Sequence, residues 1–326
     1  NFKANLIITD EELNECSLPG RIRVNGDQKD HISIKEGIFI SSMDIRIEDN
    51  LNSYNDFKLL LPETRRYKSE IFISTLFSEL NFLSPYASLI KIDYFKKKQN
   101  YLFYENLGKE FLERNNRIEG PIIRGDERFY FDNNEKFDQI VVGRLENSNW
   151  IKNNEKNQVH ISIEALTKAN QIFLERYFVK SKKPPNMLIF NDDKINQFID
   201  DEKFKKFILL TRIIGAENVT TQNDIRFYYD PIFRKFEVIF NDASVHFLNN
   251  PLRINYLNID KFEFELINQL LFDLKKISIE KLHKKLIERG LKISKEKLEK
   301  NISNIYSRID DINNYFKNND FTEHKS

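Results

Sequence analysis

An α+β fold follows from three features of the chain. Short segments that alternate apolar and polar side chains dominate its first hundred residues, one amphipathic helix interrupts them, and in its second half the apolar positions recur mostly at helical spacing. The predicted division is a β-rich part over 1–105, with a helix over 66–80 packed on its sheet, followed by a mainly helical part over 106–326. The second part carries a β-hairpin over 225–240 and ends in helices.

The elements justify this in order. Residues 2–8 form an apolar run that reads as a leading strand, and the acidic stretch 10–12 reads as a turn. Arg21, Ile22, Arg23 and Val24 alternate until Gly26 and Asp27 turn the chain, and 38–40 and 43–47 repeat the period of two. From Glu70 onward Ile71, Leu76, Phe77 and Leu80 fall near one face of a helix, which Asn81 ends and Pro85 keeps from continuing. Residues 87–94 alternate as a half-buried strand, a lysine-rich loop follows, and 101–104 read as its hairpin partner.

Residues 104–117 then show a helical pattern with Leu107, Phe111 and Leu112 on one face, stopped by Gly120 and Pro121. Residues 132–158 are rich in Asn, Glu and Lys and read as a surface excursion with a short strand at 140–142. A helix over 163–179 buries Ala165, Leu166, Ala169, Ile172, Phe173 and Tyr177, and the basic run 180–185 reads as a solvated loop. Residues 193–215 predict two helices. The second is apolar on more than one side through Phe204, Phe207, Leu209 and Ile213, which makes it central. The hairpin follows, and 260–316 is helical throughout with a turn at Arg289 and Gly290.

Composition narrows the function classes. A chain of 326 residues with 40% hydrophobic content can build a substantial core. Its 51 basic and 50 acidic residues leave no global field for nucleic acid or an anionic membrane. Cys16 is the sole cysteine, so an internal disulfide and a cysteine metal cluster are excluded. No stretch approaches the length of a membrane helix and no signal peptide is visible. Because the chain begins with Asn1, a signal upstream would leave an extracytoplasmic or cell-surface location open. Ser278 and Ser294 look like helix caps in a helix-turn-helix outline, but the lysines there are interleaved with glutamates, which argues against a nucleic-acid reader. No HExxH, nucleophile elbow, Walker loop or GxGxxG is present.

Several spaced blocks share an order with a known family: Arg21 to Asp27, Phe57-Lys58-Leu59 before Pro62-Glu63-Thr64-Arg65, Glu105, and Asn116-Arg117-Ile118-Glu119-Gly120-Pro121-Ile122. In these the chain resembles the spore-coat protein H (CotH) family of atypical, protein-kinase-like proteins. The resemblance implies a two-lobed kinase-like fold and Mg-ATP-dependent phosphoryl transfer to a Ser or Thr of a protein acceptor. Such an acceptor would include a surface or coat protein. It also implies site roles: Arg46 as the phosphate-binding cation, Glu70 as the helix carboxylate that holds it, Glu105 near the nucleotide, Glu217 as the acceptor-side base, Asn223 or Asp224 as one magnesium ligand, and Asp242 as the other.

Read on their own, Arg46 is equally a solvent-facing strand residue, and Glu70 and Glu105 are first-turn carboxylates favoured by helix dipoles. Three positions depart from the family: Arg46 where Lys is expected, Glu217 where Asp is expected, and Ala243-Ser244 where a Gly follows the metal-binding Asp. These departures motivate a rival expectation, a catalytically weakened pseudokinase that serves as a surface or coat assembly module.

Overall fold

The computed structural model describes residues 2–9, 14–26, 31–35, 37–51, 54–66, 68–94, 97–126, 141–151, 156–179, 197–220, 224–243 and 261–318. The expectations at 10–12, Asp27, 132–140, 180–185, 193–196, Asn223, Ser244 and Asp260 lie outside the described residues.

The N-terminal part is an antiparallel sheet, as the period-two patterning predicts. Its strands are β1 (Phe2–Thr9), β2 (Glu15–Val24), β5 (Met43–Leu51), β6 (Tyr54–Leu60), β7 (Ala87–Tyr94) and β8 (Lys97–Glu105), in the order β1-β2-β5-β6-β8-β7. Strands β3 (Ile32–Lys35) and β4 (Ile38–Ser41) pair as a separate hairpin. Alternation sorts the side chains. Ile45, Ile47, Phe57, Leu59, Tyr101 and Phe103 bury one face, whereas Lys58 lies directly opposite Asp44 and Tyr104 on the other. Helix α1 (Lys68–Glu79) packs on that second face through Ile71, Phe72, Ile73, Leu76 and Phe77. It follows a 3₁₀ turn at Pro62–Arg65, where the proline occupies the first position and needs no donor. Asn81 ends the helix in the left-handed region, with φ of 61°.

A second antiparallel sheet has the order β10-β9-β11-β12, from β9 (Ile122–Gly125), β10 (Gly143–Leu145), β11 (Arg226–Tyr229) and β12 (Phe236–Ile239). Ile123, Phe227 and Val238 join the main core with helices α3 (Lys156–Val179) and α4 (Asp201–Ile214). The opposite face packs Ile122, Tyr228 and Ile239 against Leu83 and against Phe111 and Leu112 of the short α2 (Lys109–Arg114). The Phe240 N–H donates to the Leu83 carbonyl at 2.8 Å, which joins the second sheet to the end of α1.

The C-terminal helices are α5 (Lys261–Lys275), α6 (Ile279–Glu288) and α7 (Lys295–Asn318). Leu298, Ile302, Ile305, Ile309 and Ile312 alternate spacings of four and three, which keeps one stripe of α7 buried. Ser278 caps α6 by accepting the Lys281 N–H, and Ser294 does the same for Lys297. The turn after α6 docks on the first sheet: the Arg289 carbonyl accepts the Leu89 N–H at 2.9 Å, and Gly290 has φ of 76°. A Cβ on Gly290 would sit 2.6 Å from the Leu89 carbonyl oxygen. Gly290→Ala therefore adds a backbone clash to a left-handed cost of about 1–2 kcal/mol. Urea unfolding is expected to show a loss of at least that size.

Local assignments differ in five places. The helix expected over 104–117 shrinks to α2, because Tyr104 and Glu105 are the last residues of β8 and pair with Lys58 and Phe57. The lysines at 97 and 98 belong to β8 itself. Of the short strand expected at 140–142, the described residues 141–142 are not in a strand and one falls at Gly143–Leu145, and α3 begins at Lys156, earlier than its apolar stripe suggests. Of the two helices expected over 193–215, α4 is present, started by the Asp200 cap, while 197–200 are not helical. Among the described residues no helix is long and apolar enough to cross a membrane.

Candidate functional site

Four elements converge where the first sheet meets the second. Strand β6 brings Lys58, the 3₁₀ turn brings Arg65, the first turn of α1 brings Glu70, and β8 brings Tyr104. The hairpin of β11 and β12 places Asp224 and Arg226 at its start and Asn241 and Asp242 at its exit. The joining contact is ionic: Arg65 Nη2 lies 3.0 Å from Asp242 Oδ2. The Asp242 N–H donates to the Tyr104 hydroxyl at 3.4 Å, and Tyr104 in turn reaches Asn241 Oδ1 at 3.5 Å. Asp242 has φ of 55°, a left-handed conformation that Asp tolerates better than most residues.

Burial dominates the electrostatics. Glu70 is 1% exposed, and desolvation first, then the charge of Asp242, pushes its carboxyl up to about 7. Arg65, the Tyr104 hydroxyl and the Ala243 backbone oppose that rise. Desolvation works against the Arg65 charge, but the carboxylates of Asp242 and Glu70 outweigh it and hold the guanidinium above its ordinary value. Burial raises the Tyr104 hydroxyl, reinforced by Glu70. Glu70 Oε1 and Arg65 Nε are both buried without a hydrogen-bond partner, so this cluster is only partly satisfied.

Lys58 stands beside it. Burial lowers its pKa, Glu146 and Asp44 oppose that shift, and Arg65 and Arg226 add to it. Its ammonium makes no ion pair or hydrogen bond to another described residue. An incompletely paired cation in such a place is costly to the fold, which makes it a candidate for binding an anion.

The expected site residues separate into groups. Glu70 and Asp242 come together, and Asp224 is close enough to act on the charge of Arg65. Arg46 is exposed on β5, opposite Asp56 and Arg21, and its charge acts on Asp56. The cation that acts on Glu70 is Arg65, and the strand cation beside Arg65 is Lys58, one strand in from Arg46, because strand register puts Lys58 and not Arg46 next to Tyr104. Glu105 does not start a helix. Its buried carboxylate receives the Tyr86 N–H at 2.8 Å and Arg114 Nε at 2.9 Å, so it braces β8 against α2. Glu217 opens a 3₁₀ turn at Glu217–Thr220 after α4, and its side chain, like the whole of Asn223, lies outside what is described. Arg117, in one of the family blocks, pairs with Glu237 at 2.7 Å.

Sequence reasoning gave no role to Lys58, Arg65 or Tyr104. Lys58 and Arg65 sit inside the blocks that carry the family resemblance, and Lys58 breaks the apolar run Phe57 to Leu61, a signal of a buried charge. Among the described residues no group of three or more His, Cys, Asp and Glu is arranged to hold a metal. A cavity of about 290 Å³ lined by Leu80, Asp200, Lys203 and Leu270 contains none of the cluster residues.

The raised Glu70 pKa makes a pH prediction. The unfolded chain releases this proton near the ordinary value of 4.5 and the folded chain only near 7, so the folded state binds more protons between them. Stability from this group is fully present below the unfolded value and is lost as pH rises through about 7. The loss is on the order of 3 kcal/mol. Glu70→Gln is expected to remove it: urea unfolding of parent and variant should converge near pH 4 and diverge by pH 8, with the variant the more stable.

No family model matches the chain, and no curated protein matches it.

Proposed function

We propose that the chain is an atypical kinase similar to the CotH family, transferring a phosphoryl group from Mg-ATP to a Ser or Thr of a protein acceptor. The observation that carries this reading is the contact of Arg65 with Asp242 beside buried Glu70 and next to Lys58. A cation beside a helix carboxylate and paired with an Asp that follows a β-hairpin brings together the residue types that phosphoryl transfer of the kinase type uses. In this reading the first sheet with α1 is the N-lobe, and the second sheet with the remaining helices is the C-lobe.

Roles follow from position. Lys58 and Arg65 bind the phosphate oxygens, and Glu70 holds Arg65 in place between them. Asp242 and Asp224 offer hard carboxylate oxygens, and magnesium is commonly held by one or two carboxylates plus substrate phosphates, so the donor set fits it. Bound there, magnesium would neutralise charge on the transferring group. Tyr104 fixes the Asp242 backbone through the N–H it accepts. The family resemblance, not position, assigns Glu217 to take the proton of the acceptor hydroxyl. The test is incubation of the full chain with labelled ATP, magnesium and candidate acceptor proteins, beside Asp242→Ala. Label on the chain or an acceptor that depends on Asp242 supports the reading; no transfer, with Asp242→Ala identical to the parent, refutes it.

One observation favours the second reading, a pseudokinase acting as a surface or coat assembly module. Arg65 occupies the carboxylate that the metal would need, so nucleotide must displace an ion pair before catalysis. Nucleotide binding without transfer would decide for this reading.

A further inference from the structure

We propose that Arg226, Arg124 and Arg144 form a rail that binds successive phosphoryl groups of a polyphosphate ligand, running outward from Lys58. The strand register carries this inference. Arg226 on β11 lies directly opposite Arg124 on β9, and Arg124 lies directly opposite Arg144 on β10. Directly opposed residues of antiparallel strands share a face with Cβ atoms about 5 Å apart. The three guanidinium groups therefore leave one face of the sheet in a row that crosses two strand spacings, roughly 10 Å. That span suits a chain of phosphoryl groups better than a single anion.

Like charges placed directly opposite each other are destabilising. The row persists because carboxylates neutralise it, yet they do so loosely. Arg124 Nε lies 2.8 Å from Glu146 Oε2, but both atoms are buried and neither has an aligned hydrogen bond. Arg144 Nη1 lies 3.7 Å from Asp126 Oδ1, a charge contact longer than a hydrogen bond. Arg226 is 8% exposed and donates to the Asp224 carbonyl. At Arg124 and Arg144 the row is thus balanced in charge without being filled in hydrogen bonding. Each guanidinium presents its donors as a planar fork that matches phosphate oxygens. Its inner end is tied to the cluster, since Arg226 and Glu146 both act on the charge of Lys58. A polyphosphate lying along the row would replace Glu146 and Asp126 as the counter-charge and add directed hydrogen bonds.

The register alone carries the rail; only the identification of its ligand with the nucleotide's phosphates rests on the kinase reading. The experiment measures inorganic tripolyphosphate binding to the full chain by calorimetry, without metal. The parent is expected to bind, and Arg124→Gln/Arg144→Gln to bind at least tenfold more weakly. The single variant Arg144→Gln, at the exposed end, reads the same loss in smaller measure should the double variant fold poorly, and Arg144→Lys should recover part of it. A parent that does not bind tripolyphosphate, or rail variants that bind it as the parent does, overturn the rail. Phosphoryl transfer that survives in rail variants with unchanged tripolyphosphate affinity would sink the rail and leave the kinase reading intact. Tripolyphosphate bound through the rail by a chain that ignores Mg-ATP would support the rail and sink that reading.

Discussion

Lys58→Met is expected to give a protein that unfolds at higher denaturant than its parent and transfers phosphate at least about a hundredfold more slowly. The two effects have one cause. Lys58 is held on the α1 face of β6, where burial disfavours its charge and the cations Arg65 and Arg226 disfavour it further. Methionine has a similar length and no charge, so it fills the same space and removes the penalty, a gain of about 1 kcal/mol. The sign depends on pH. Because the folded-state pKa of Lys58 is lowered, the penalty is present while the lysine is protonated and fades as pH rises through its titration, so the gain shrinks in alkaline solution. In the kinase reading the same charge binds phosphate oxygens, and loss of one preorganised electrostatic contact typically slows catalysis about 10²–10³-fold. Denaturant unfolding and a labelled-ATP assay on the same preparation check both halves. A variant that is less stable than the parent, or as active, contradicts the assignment.

Phe77→Ala is expected to have the largest effect on stability of any single change at the junction. Phe77 is 0% exposed, and its ring centroid lies 4.6 Å from that of Phe240, 5.2 Å from Phe207 and 5.6 Å from Phe82. These rings come from α1, the end of β12, α4 and the turn after α1, so one side chain joins the helix that carries Glu70 to the strand that delivers Asp242. Truncation removes the buried ring and leaves a cavity that surrounding aromatics cannot close, a loss of about 3–5 kcal/mol. The urea midpoint should fall with the slope unchanged. A change below about 1 kcal/mol would mean that the two sheets are held together elsewhere.

The parts of this fold that depend on local patterning are legible in the chain. The alternation around Ile45, the helix from Glu70 to Asn81 and the hairpin of β11 and β12 all stand where period and turn chemistry put them. What local pattern cannot give is pairing. Tyr104 and Glu105 precede a helical-looking stretch, and only the ladder with Lys58 and Phe57 assigns them to a strand. The same limit governs the site. Arg46 and Lys58 both sit on strands ahead of Glu70, and nothing local says which one register brings beside Tyr104. Arg65 looks like a solvated charge in a turn until the exit of β12 places Asp242 against it. Arg124, Arg144 and Arg226 are far apart along the chain and become a row only when β10, β9 and β11 are aligned. Asp242 and Glu70 are singled out by the spacing of whole blocks along the chain, which needs no knowledge of pairing.

If Lys58, Arg65, Glu70, Asp224 and Asp242 form a site for magnesium and a nucleoside triphosphate, as proposed, thermal unfolding of the full chain during a Mg-ATP titration reads it without any acceptor protein. Ligand that binds only the folded state stabilises it by RT ln(1 + [L]/Kd), about 2.7 kcal/mol at a hundredfold excess over Kd. The parent is expected to show a rising Tm, and Asp242→Asn little rise at the same concentrations, because that change removes a charged oxygen that would hold the metal. A parent whose Tm does not move with Mg-ATP, or an Asp242→Asn variant that shifts as far as the parent, would contradict the proposed site.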